Sequence, residues 1–377
     1  MKIEIDQEDF GTLCICALRY CRGRTTYMPS LVQGIIKPFL PMLSDKDIYV
    51  LKDDGINQRG RNLYGDELVD KPGWLKWEEA VREEQNQRRK RGIQMGINER
   101  RQALIDVFLD TQHFYTENKT LAAAAASSRS HTKLYLQDDY PMLPGIRDRR
   151  AEVAVTRSKT FAAAMQWHAA HPEDRITVLN FASAVTPGGG VLHGSSAQEE
   201  SLCRCSTLYP TLDQRFLWES YYSKNRAAKN VLHTDDCIFS PDVVICKTGE
   251  SIPQRMEPQD WVTVDVISCA APNLRQNPDN FFNPEGGEPV YPTRPELIAL
   301  HQQRARHIMH VAAANHADVL ILGAFGCGAF ENDPDTVAYA YSQVIREYAD
   351  YFKRIEFAVY CRKYETYNYD AFSAVIR

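Results

Sequence analysis

Short runs rich in Val, Ile and Leu recur along the chain at residues 131–136, 152–156, 176–180, 243–247, 262–268, 319–322 and 355–360. Several are continuously apolar rather than alternating, the pattern of strands buried on both faces of a sheet. Between them, helical spacing of apolar positions predicts helices over 157–170, 198–207, 213–224, 295–315 and 335–349. Arg100 to Tyr115 is amphipathic, with Leu104, Ile105, Phe108 and Leu109 on one side. The Ala-rich run 121–128 is low in complexity and reads as a loosely held helix or a loop. Strands interleaved with helices on this scale predict a three-layer α/β domain over 98–377.

The chain before residue 98 has a different texture. Phe10 to Cys21 is apolar at helical spacing, as are Leu31, Val32, Ile35, Ile36, Phe39 and Leu40. Pro29 suits an early helical turn and Pro38 a kink or stop. Residues 1–80 are therefore expected to form a small, mainly helical module of unknown role. Residues 81–97 form a charged linker or helix that carries Arg88-Arg89-Lys90-Arg91 just after Glu83 and Glu84. Those basic residues read either as a nucleic-acid or phosphate patch or as one solvated face of a helix with offsetting charge.

Composition narrows the class. Of 377 residues, 44% are hydrophobic and 25% charged, enough for a substantial core. The net charge of −5 does not fit a dedicated nucleic-acid binder. No apolar run approaches the roughly 18 residues needed to span a bilayer, and Met1-Lys2-Ile3-Glu4-Ile5-Asp6 lacks the apolar stretch of a secretory signal. A cytoplasmic protein with no membrane partner is expected. The ten cysteines form neither a CxxC pair nor a Cys/His metal pattern, so reduced, structural thiols are expected, with no metal and no cofactor.

The chemistry gathers where predicted strands end, the place at which open α/β sheets bind ligands. The strand 176–180 ends at Asn180, whose amide suits a sugar hydroxyl or the backbone of a turn. Gly188-Gly189-Gly190 follows, then Gln198-Glu199-Glu200. Three glycines free the backbone for positive φ and for close approach to a ligand; adjacent carboxylates suggest a proton-handling site. A Gly-rich turn leading into a helix with Glu in its first turn fits the same residues. The strand 319–322 runs into Gly323-Ala324-Phe325-Gly326-Cys327-Gly328-Ala329-Phe330, with Asp333 placed to cap a helix and Pro334 at its first position. Strand, Gly-rich loop and helix start together resemble a phosphate cradle. Ala270-Ala271-Pro272 closes a third strand with small residues.

These residues, with the GGG-x7-QEE spacing as the most specific, resemble the microbial-type poly(ADP-ribose) glycohydrolases of the macrodomain superfamily over residues 98–377. The resemblance implies a macrodomain: an α/β/α sandwich whose mixed, mostly parallel sheet binds ADP-ribose at its strand ends. It matches Glu200 to the catalytic acid and Glu199 to a neighbouring acid that holds the ribose. Gly188, Gly189 and Gly190 match the loop over the terminal unit, next to Gln198 of the signature, and Asn180 a contact to the distal ribose. Gly326, Cys327, Gly328 and Ala329 match the diphosphate loop, and Phe330 an aromatic residue packed on that ribose. The implied activity is hydrolysis of ribose–ribose O-glycosidic bonds, mainly from the chain end, on poly(ADP-ribose) attached to protein. Two alternatives stand beside it: a non-catalytic ADP-ribose reader, and a reverser of mono-ADP-ribosylation targeted by residues 1–90 to a specific protein or nucleic acid. Paired carboxylates in a desolvated cleft raise one pKa, as a general acid requires.

Overall fold

Continuous apolar runs can be buried on both faces only if helices cover both sides of the sheet. That is the arrangement in a computed structural model, which describes residues 97–278, 287–362 and 366–376. The expected module 1–80, and all of the charged segment 81–97 except its last residue, lie outside the described residues.

Seven strands form one sheet: β1 Lys133–Tyr135, β2 Glu152–Thr156, β3 Ile176–Phe181, β4 Cys237–Ile245, β5 Val262–Cys269, β6 Val319–Leu322 and β7 Arg354–Ala358. Their order is β1-β4-β5-β3-β6-β7-β2. The five strands from β5 to β2 are parallel to their neighbours, while β4 pairs antiparallel with both β1 and β5. The sheet is therefore mixed and mostly parallel, as expected of a macrodomain.

The helices are α1 Ile97–Glu117, α2 Lys119–His131, α3 Thr160–Ala170, α4 Gln198–Cys205, α5 Arg294–Ala314, α6 Pro334–Tyr348 and α7 Tyr367–Val375, plus a broken helical run from Tyr209 to Ala228. Side chains alternate along β3: Val178 packs with Phe108 of α1, Phe161 of α3 and Leu202 of α4. Leu179 points the other way, into Ile308 of α5, Val344 of α6 and Phe372 of α7. Both are fully buried, which is why the strand carries no polar alternation.

The Ala-rich run falls on one of its two expected alternatives, and two other elements differ from the sequence reading. The Ala-rich run is helix α2, because Asn118 caps it through bonds from the N–H of Thr120 (3.0 Å) and Leu121 (3.1 Å), and Leu121, Ala125 and Ser128 bury one face. Strand β4 begins six residues earlier than expected, at Cys237 rather than 243; the register shifts between Ser240 and Val243, and this bulge accommodates Pro241. The predicted helix 213–224 is broken into short pieces with a π-helical turn at Trp218–Tyr222.

Candidate active site

The acid pair is built by docking the start of α4 onto the end of β3. Gln198 ties the two together: its Nε2 donates to Leu179 O (2.7 Å) and Thr160 Oγ1 (3.1 Å), and its Oε1 accepts from Phe181 N (2.8 Å). The Gln198 amide thus brackets Asn180 on the strand backbone. Glu199 turns inward, its Oε2 accepting from Ser183 N (2.8 Å) and its Oε1 from Asn180 Nδ2 (3.3 Å). Asn180 Nδ2 also donates to Ser268 Oγ on β5 (2.9 Å). Glu200 Oε1 accepts from Gly190 N (2.9 Å). Both acids are buried, yet two acceptors here have no hydrogen-bond partner among the described residues: Asn180 Oδ1 and Glu200 Oε2. A buried acceptor left unpaired costs about 1–3 kcal/mol, so such atoms point to a ligand.

Burial, and then the charge of Glu200, hold the Glu199 carboxyl well above the usual carboxylate range. Hydrogen bonds from Ser183, Asn180 and Gly188 oppose the shift without reversing it. The expected rise in one member of the pair thus falls on Glu199.

The three glycines press the backbone against this pair. Gly188 (φ 68) and Gly189 (φ 56) are left-handed, a region where a side chain is strained. A Cβ on Gly189 would lie 2.7 Å from Glu200 Oε1 and 3.0 Å from Glu199 Oε2. Behind the loop, Tyr209 lies against Gly188 and stacks edge-on with Phe108 of α1 at 5.0 Å. Arg204, itself buried, donates to Ser195 O (2.6 Å) and fixes the return of the loop.

The second loop leaves β6 beside β3. Asn332 shapes it from inside: its Nδ2 donates to Gly326 O (3.1 Å), Phe330 O (3.3 Å) and Pro272 O (2.7 Å). Its Oδ1 is bonded to His301 Nε2 of α5 (2.9 Å), and burial lowers the His301 pKa to about 4, which keeps the ring neutral. Gly326 (φ 77) has no room for a Cβ, which would meet Ala271 and Asn332 at 2.7 Å. The N–H groups of Gly328 and Ala329 have no acceptor among the described residues. Successive backbone donors on such a loop form an anion cradle.

A family model for the catalytic domain of microbial-type PARG, poly(ADP-ribose) glycohydrolase, matches residues 105–248. Among solved structures, poly(ADP-ribose) glycohydrolase from Thermomonospora curvata is 26% identical, with a TM-score of 0.62, over 72% of this chain and 99% of that one. The enzyme from Deinococcus radiodurans, solved in complex with ADP-ribose, is 31% identical, with a TM-score of 0.55, over 66% of this chain and 95% of that one. No curated protein matches. The chain belongs to the microbial-type PARG family.

The residues matched to that family by sequence fall into two groups at the strand ends. Asn180, Gln198, Glu199, Glu200 and the three glycines meet at the end of β3. Gly326, Cys327, Gly328, Ala329 and Phe330 lie on the loop after β6, where Cys327 and Phe330 are half-buried. Sequence reasoning missed Ser183 and Ser268, which sit behind Asn180 and Glu199, and Asn332 with His301 under the second loop. It also missed Tyr360, which follows β7 on the same rim and is 57% exposed, with Lys159 Nζ 5.4 Å over its ring. Among the described residues, one His/Glu/Asp group with ligand-type atoms within 4.8 Å of one another, His171, Glu173 and Asp174, precedes β3. It lies at the opposite end of that strand from Asn180, and Asp174 already binds Lys353 and Trp167 Nε1. The described cysteines are free thiols. No helix among the described residues is long and apolar enough to cross a membrane.

Proposed function

We propose that this chain is a glycosidase that hydrolyses ribose–ribose O-glycosidic bonds of poly(ADP-ribose), mainly from the chain end, with Glu200 as general acid and then general base. The observation that carries the assignment is the asymmetry of the acid pair: both Glu199 oxygens accept hydrogen bonds, whereas Glu200 Oε2 has none. Glu200 Oε2 is thus the oxygen left open for the leaving group, while Glu199 orients ribose hydroxyls together with Asn180.

The proton passes from Glu200 to the leaving glycosidic oxygen, which takes the electron pair of the breaking C–O bond. The sugar becomes oxocarbenium-like, stabilised by the substrate's own diphosphate, while Glu199 orients the ribose hydroxyls. Water then attacks the sugar carbon and gives its proton to Glu200, restoring the acid. The diphosphate is held on the Gly326–Ala329 loop by the N–H groups of Gly328 and Ala329, and Phe330 packs on the ribose. The exposed Tyr360 ring on the same rim suits an adenine base.

The test compares wild type with Glu200→Gln on automodified polymerase. The variant is expected to bind ADP-ribose as wild type does and to release it at least a hundredfold more slowly, in line with loss of an acid–base group. Binding by both proteins with release by neither would make the chain an ADP-ribose reader instead.

A further inference from the structure

Arg275 lies two residues beyond the buried Asn273, on the segment leaving β5. Two consecutive residues there grip the end of the second loop. Leu274 N donates to Phe330 O (3.0 Å), and Arg275 Nε donates to Ala329 O. The guanidinium sits 5.5 Å over the Phe330 ring. Arg275 forms no ion pair with any carboxylate among the described residues, although it is only partly exposed. Burial lowers its pKa, opposed by the more distant charges of Glu331 and Glu200. A partly desolvated cation without a counter-ion is unfavourable unless it is reserved for an anion. The loop it grips carries the two backbone donors without acceptors, on Gly328 and Ala329.

We propose that Arg275 is a substrate-binding residue whose guanidinium engages the diphosphate held by the Gly326–Ala329 loop. This rests on the reading of that loop as a diphosphate site, and not on turnover. The Nε–H is committed to Ala329 O, so the remaining N–H groups of the planar fork face a phosphate in a fixed orientation. The residue couples loop shape to ligand charge: the bond that pins Ala329 also aims the cation.

The test is titration of ADP-ribose, AMP and adenosine into the full chain and into its Arg275→Gln and Arg275→Lys variants, at low and high salt. For Arg275→Gln, ADP-ribose affinity is expected to fall about tenfold or more, the loss of one charge-assisted contact. Adenosine affinity stays within about twofold, and the salt dependence of ADP-ribose binding becomes shallower. Arg275→Lys keeps the charge without the Nε bond and recovers part of the loss. If Lys and Gln weaken ADP-ribose equally with wild-type salt dependence, Arg275 only pins the loop and the proposal is overturned. An unchanged ADP-ribose affinity with a raised KM on polymer alone also overturns it, since the cation would then serve a more distant unit. Wild type that binds ADP-ribose but releases none from polymer refutes the hydrolase reading and leaves this inference standing.

Discussion

Gly189 and Glu200 are packed so closely that a methyl group on the glycine would lie 2.7 Å from the acid's Oε1. The triple glycine is thus the wall against which the acid is placed, as well as a hinge-like stretch of backbone. Glu200 Oε1 is bonded by the next residue, Gly190, so the wall and the anchor are adjacent in the chain.

Gly189→Ala is expected to displace the acid rather than unfold the protein. A left-handed alanine costs about 1–2 kcal/mol, which lowers the melting temperature by a few degrees. A shift of the acid by a fraction of an ångström is expected to slow ADP-ribose release on the order of a hundredfold. Gly145→Ala is the control, because a Cβ there meets nothing within 4 Å. Equal activity of the two variants would show that the wall does not position Glu200.

The raised carboxyl of Glu199 makes a signed prediction about pH. In the folded state it stays protonated above its ordinary value of 4.5, so the native protein binds more protons there than the unfolded chain. That contribution to stability is fully present below about 4.5 and is lost as pH rises through the elevated folded value. The stability of Glu199→Gln relative to wild type should therefore increase with pH above 4.5, read from urea midpoints across the acid-to-neutral range. A pH-independent difference would mean that Glu199 titrates normally.

Asn332→Ala removes three donated bonds and the partner of His301, whose Nδ1 is already unpaired. A loss of about 2–3 kcal/mol is expected, with ADP-ribose affinity falling more than the melting temperature alone explains. Asn332→Asp has the same shape but cannot donate, and should behave like Ala at neutral pH. Wild-type binding by the Asp variant would show that the hydrogen bonds donated by Asn332 Nδ2 do not shape the loop.

Asp110 joins α1 to the chain just past β4, bonding Lys247 Nζ (2.7 Å) and Arg255 Nη2 (2.6 Å), with Lys247 itself buried. Removing the charge in Asp110→Asn leaves that ammonium without its counter-ion. The expected loss is about 1–3 kcal/mol, below that of a fully buried pair because Asp110 is 44% exposed. The Arg255 hydrogen bond, aided by Lys247, holds the Asp110 pKa at about 2 against an ordinary 3.8. The stabilisation is thus present above 3.8 and lost as pH falls through 2. Denaturation curves of the two proteins should converge in strong acid; a constant gap would refute the pairing.

Most of the sheet was legible because its strands are buried on both faces, and short continuous runs of Val, Ile and Leu bounded by turn residues are the mark of such strands. The π-turn at Trp218–Tyr222 and the start of β4 were not legible. A strand through Pro241 exists only because a bulge takes the proline out of the ladder, and no local signal announces that. Helix α7 is short and mixes aromatic with polar residues, and Phe372 is committed to the core only by docking against Phe357.

The sequence by itself determined the order of the layers, the GGG-x7-QEE signature and the Gly-rich loop after β6, since each is a contiguous run whose residue types dictate backbone freedom or burial. Tertiary structure alone decided which acid keeps its bonding partners and which has an open oxygen. Ser183, Asn180 and Gly190 reach the carboxylates from positions 10 to 19 residues away in sequence. It also decided that His301 and Asn332 meet, and that Arg275 lies over Phe330 without a counter-ion among the described residues. Such pairings depend on strand order and side-chain direction, and so arise only when the sheet has closed.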